Sequence, residues 1–67
     1  MESELEMAAR HVREGERRVE DQEQLIAILP DGSAIAVAKD LLRSYEHSLA
    51  ISRDLYGEVL ARQLKSN

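Results

Sequence analysis

The chain has 67 residues, 13 of them acidic and 9 basic, for a net charge of -4, and it contains no Cys, Phe or Trp. Disulfides and thiolate metal sites are therefore excluded, and the balance of charge is the opposite of what a dedicated nucleic-acid binder carries. The length allows one domain at most, with an aliphatic core that is marginal at this size without a metal, a disulfide or a partner chain.

The opening MESELEM is acidic and lacks the basic and apolar regions of a signal peptide. The run Leu25 to Leu29 is far shorter than the ~20 residues a membrane span needs. These features point to a cytoplasmic protein with no membrane contact. The first predicted element is a helix over about residues 3–29. Leu5, Val12, Val19 and Ile26 recur every seven residues, with Ala8, Gly15, Gln22 and Leu29 between them. That is an a/d seam sustained over more than three heptads. The opposite face is charged, and Glu6 with Arg10 and Glu14 with Arg18 stand in the favourable order for (i, i+4) ion pairs.

LPDGS supplies the chain's strong punctuation. Pro30 disfavours helix at Leu29, and Pro30, Asp31 and Gly32 are turn formers, so a turn is expected over 30–33. Ser33 is a candidate N-cap for the second helix, which is expected over about residues 34–64. Its apolar stripe holds Ala38, Leu41, Leu42, Tyr45, Leu49, Ser52, Leu55, Tyr56, Val59 and Leu60, wider than one seam requires.

The fold expected is all-α: two long antiparallel helices in a hairpin. The seam is assigned to Leu5, Val12, Gly15, Val19, Gln22, Ile26 and Leu29 against Leu41, Leu42, Tyr45, Leu49, Ser52, Leu55, Tyr56 and Val59. Ile26 should lie near Val37 and Leu41, Val19 near Tyr45, and Val12 near Ser52 and Leu55. Gly15 falls on this seam, where a helix-interior glycine costs about 1 kcal/mol relative to Ala. Its lack of a side chain leaves room for Tyr45 or Leu49. Gln22 is polar at a seam position, where such a residue fixes register or oligomeric state; a bond to its mate across a two-fold axis is one way to satisfy it. Gly57 marks either a weakened last turn or a second close contact.

Several Leu and Tyr side chains on the second helix remain uncovered in a lone hairpin, each worth about 1.5–3 kcal/mol on burial. Pairing with an identical hairpin into a four-helix bundle covers them; a larger helical protein is the alternative partner.

Chemistry is sparsely encoded. His11 and Gly15 form His-x-x-x-Gly, which resembles the phosphoacceptor stretch of histidine phosphotransfer domains. There the glycine gives an incoming domain room around the phosphorylated ring. Glu14 stands where that family carries Lys. The resemblance implies a phosphoacceptor role for His11. Arg10, Arg13, Arg17 and Arg18 form a short basic stripe, a candidate site for anions or nucleic acid, but Glu14, Glu16, Glu20 and Asp21 interleave with it. His47 has no ligand-type residue at (i, i+4) and is read as a boundary residue of the apolar stripe. Neither catalytic residues nor a cofactor or metal site are expected, and the chain is read as a non-enzyme.

RHVREGERRV, then LI, a Gly-bearing turn and AKDLLRSYEHSLAISRD resemble a group of small alphaproteobacterial two-helix proteins, over roughly Met7 to Leu60. The resemblance implies a helical hairpin in a bacterial cytosol and adds nothing to the chemistry.

Overall fold

The structure is a computed structural model that describes residues 1–66. It holds two helices, α1 (Glu4–Ile28) and α2 (Ser33–Ser66), packed along their length as an antiparallel hairpin. α1 begins at a capping box. Ser3 Oγ accepts the Glu6 backbone N–H at 3.0 Å, and the Glu6 carboxylate accepts the Ser3 N–H at 3.1 Å. The helix ends one residue earlier than expected. Leu29 is extended (φ -74°, ψ 139°), as Pro30 requires of the residue before it, although its N–H still donates to the Leu25 carbonyl. Gly32 then turns the chain at φ +145°, a backbone that side chains resist. Ser33 is already helical rather than the cap, so the cap position falls to Gly32.

Packing follows the heptads. In α1 the buried residues are Ala8, Gly15 and Gln22, one heptad apart, flanked by half-buried Leu5, Val12, Val19, Ile26 and Leu29. In α2 the covered positions are Ile35, Ala38, Leu42, Tyr45, Leu49, Ser52, Tyr56 and Val59, alternately three and four apart, with Leu60 beside them. Leu41 and Leu55, expected in the seam, lie outside it at 42% and 48% exposure. One line of alternating three- and four-residue steps can face α1, and the line through Leu42, Leu49 and Tyr56 takes that place.

Gly15 fixes the register. A Cβ there would sit 3.0 Å from Leu49 Cδ1, so the glycine accepts the leucine that Ala would crowd. Carried along both helices in sevens, this register sets Ala8 opposite Tyr56, Val12 opposite Ser52, Val19 opposite Tyr45, and Gln22 opposite Leu42. Ile26 falls opposite Ala38, next to Val37. Large residues thus meet small ones along much of the seam, which brings the axes close without voids. Gln22 bonds within the hairpin: its Nε2 donates to the Ala38 carbonyl at 2.9 Å in a buried setting. Gly57 is exposed in mid-helix with nothing near its missing Cβ, so it is neither a close contact nor a last-turn residue.

Candidate interaction face

The seam divides the hairpin into two long faces. On one, Glu16 pairs with Arg53 at 3.3 Å, and short of Leu64 at the open end the apolar residues among the charged ones are small or half-buried: Ala9, Ala27, Ala36, Ala50 and Leu60. The other face is bounded at its open end by Glu4 and Arg62, paired at 2.7 Å. All the exposed large hydrophobics except Met1 and Leu64 fall on this second face: Met7, Leu25 and Ile28 from α1, and Val37, Leu41, Ile51 and Leu55 from α2. Ile28 is 80% exposed, Val37 68% and Ile51 55%. The sequence pattern turns Leu41 and Leu55 inward and sets Val37 beside Ile26, and Ile51 is absent from the stripe it assigns to α2. The missed signal is a second run of alternating steps, Val37, Leu41, Ser44, Ser48, Ile51 and Leu55, beside the first.

The polar middle of the same face holds the residues singled out for chemistry. His11, Glu14 and Arg18 on α1 and Ser48 and Ser52 on α2 rim a groove of about 130 Å³ floored by Gly15 and Leu49. A pocket for a small organic ligand is typically at least ~300 Å³. His11 is exposed at the rim of this groove, and Gly15 on its floor is buried against Leu49. The glycine of the His-x-x-x-Gly stretch thus packs against α2.

The arginine stripe is largely engaged. Arg10 is clamped by Glu2, through Nε at 3.0 Å and Nη2 at 3.0 Å, and by Glu14 through Nη1 at 2.6 Å. The bond from Arg10 holds the Glu2 carboxyl below its ordinary range, and the same bonds make Arg10 hold its proton more tightly. Arg17 reaches Asp21 at 3.6 Å, and the Arg18 guanidinium lies 5.6 Å from the Tyr45 ring centre, a cation–π approach. Neither pair expected from spacing forms. Glu6 is held in the capping box, Glu14 turns back to Arg10, and Arg18 leans across to α2. Arg13 shares an open depression with Glu14, Arg17, Arg18 and Asp21, a mixed-charge surface rather than a track for phosphates. Among the described residues no three of His, Cys, Asp and Glu come together as a metal would require, and no helix is long and apolar enough to cross a membrane.

No protein-family model, no curated protein and no solved structure matches this chain. The geometry of the hairpin is therefore what bears on its function.

Proposed function

We propose that the chain is a small helical interaction protein whose working form is a homodimer, two hairpins joined through the apolar face into a four-helix bundle. The observation that carries this is uncovered surface. The hairpin exposes 5174 Å², whereas a compact monomer of this mass exposes about 4,300 Å². Its radius of gyration is 15.6 Å, against roughly 11 Å for a compact chain of this length. The excess is close to the ~800 Å² that each partner contributes to a standard interface. The buried apolar core is correspondingly thin: Ala8, Ala38, Leu49 and Val59. Such a core is too small to hold two long helices unaided, so folding and association are coupled.

Sedimentation equilibrium combined with circular dichroism over a dilution series tests this. The expected result is a particle of twice the 7.6 kDa chain mass that loses helicity as it dissociates. A fully helical, cooperatively melting single chain at nanomolar concentration overturns the proposal. A single chain with little helix at every concentration also overturns it, in favour of a larger helical protein as the obligate partner.

A further inference from the structure

We propose that the two copies meet helix α2 against helix α2, antiparallel, through the stripe Val37, Leu41, Ser44, Ser48, Ile51 and Leu55. This rests on the self-association proposed for the hairpin and specifies its face and direction. The stripe lies roughly 100° around α2 from the seam that holds α1, near the right angle between neighbours in a four-helix bundle. Its steps are four, three, four, three, four, and they read the same in both directions. So does its chemistry: two aliphatics, two serines, two aliphatics.

A two-fold interface must be self-complementary, with residue i on j and j on i. The antiparallel register centred on residue 46 meets that condition throughout. Val37 falls opposite Leu55 of the partner subunit, Leu41 opposite Ile51 of the partner subunit, and Ser44 opposite Ser48 of the partner subunit. The small serines let the helices approach at the centre, and their hydroxyls can bond across the axis. The two ends of the stripe decide the direction. Towards the C-terminus it continues into Glu58 and Arg62, and towards the N-terminus into Ala34. Parallel pairing sets Glu58 against Glu58 and Arg62 against Arg62. Antiparallel pairing sets Glu58 against Ala34 and carries Arg62 past the end of the facing helix. Leu25 and Ile28 of α1, beside Val37 and Leu41, then lie along the half of the facing stripe that holds Ile51 and Leu55.

The chain has no cysteine, so Ala61→Cys, at an exposed position off the stripe, carries a single nitroxide label per copy. Pulsed dipolar spectroscopy on the labelled dimer should give a separation of about 45 Å, from ~1.5 Å per residue on either side of the axis. A separation under about 20 Å means parallel helices and overturns the orientation. The face is tested by Leu41→Glu against Ala50→Glu, the same added charge on the far side of α2. Leu41→Glu should weaken dimerisation by roughly 100-fold or more, since each Leu is lost twice per dimer, and Ala50→Glu should leave it within about threefold. Equal dissociation constants for the two variants overturn the assignment of the face while leaving self-association standing. A wild-type chain that never dimerises removes the underlying proposal instead.

Discussion

Helix α2 carries two apolar stripes of nearly the same grammar and opposite fates. The inner one, through Ala38, Leu42, Tyr45, Leu49, Ser52, Tyr56 and Val59, is covered by α1; the outer one, through Val37, Leu41, Ile51 and Leu55, is bare. The difference lies in what faces them. α1 offers the inner stripe a matched line of small and large residues, with Gly15 receiving Leu49 and Ala8 opposite Tyr56. Among the described residues no element covers the outer stripe, and its own palindromic spacing is what makes a second copy the partner proposed for it. Hydrophobic spacing alone thus identifies surfaces that need a partner, while the complementarity of sizes identifies which partner each receives.

The largest way to break this comparison is to remove the side chain on which the inner register turns. Leu49→Ala leaves a space that neither Ala nor the facing Gly15 can fill. Such cavities in packed cores cost about 3–5 kcal/mol. Denaturant unfolding at fixed chain concentration measures it, and a loss under about 1 kcal/mol would show that Leu49 is not the keystone of the seam. The next effect sharpens the contrast between the two helix-interior glycines. Gly57→Ala adds a methyl to open space, so it should stabilise by about 1 kcal/mol through helix propensity. Gly15→Ala gains the same propensity but presses on Leu49, and overpacking of this kind costs about 1–3 kcal/mol. It should fall short of the Gly57→Ala gain by that amount. In the Leu49→Ala background the obstruction is gone, so Gly15→Ala should there recover the full propensity gain. Equal effects of Gly15→Ala in both backgrounds would refute the coupling.

The hairpin was legible in the sequence because its signals are local or strictly periodic. Pro30 and Gly32 mark the turn, and the sevenfold recurrence of Leu5, Val12, Val19 and Ile26 marks the seam of α1. The turn itself is short and polar, which leaves few ways to join the helices. The seam of α2 was less legible because its two stripes share one broad arc. Leu41 and Leu55 are as apolar and as regularly spaced as Leu42 and Tyr56, and only a fixed register separates them. That register depends on Gly15 meeting Leu49, a tertiary fact. The ion pairs were misread for a related reason. Spacing alone gives Glu6 to Arg10, but the Ser3 to Glu6 capping box uses that carboxylate first. The S-x-x-E pattern in MESELE announces this competition. At His11 two sequence patterns overlap: His-x-x-x-Gly says nothing about which way the glycine faces, whereas the heptad that puts Gly15 on the seam does.

The smallest predicted effect concerns the polar residue within the inner seam. Gln22 is buried, and its amide donates to the Ala38 carbonyl. That carbonyl also accepts the Leu42 N–H within the helix, so removing Gln22 leaves it paired rather than orphaned. A net intramolecular hydrogen bond contributes about 0.5–1.5 kcal/mol, and a Leu in its place gains apolar burial of similar size. Gln22→Leu should therefore change stability by less than about 1 kcal/mol. Gln22→Ala, which loses both the bond and the volume, should cost about 2 kcal/mol. The two variants separate filling from bonding. Should Gln22→Leu prove as damaging as Gln22→Ala, the hydrogen bond rather than the packing would be what holds the two helices in register at that level. The inner stripe would then owe its partner to a polar contact that the outer one, with only Ser44 and Ser48 at its centre, can reproduce solely across a two-fold axis.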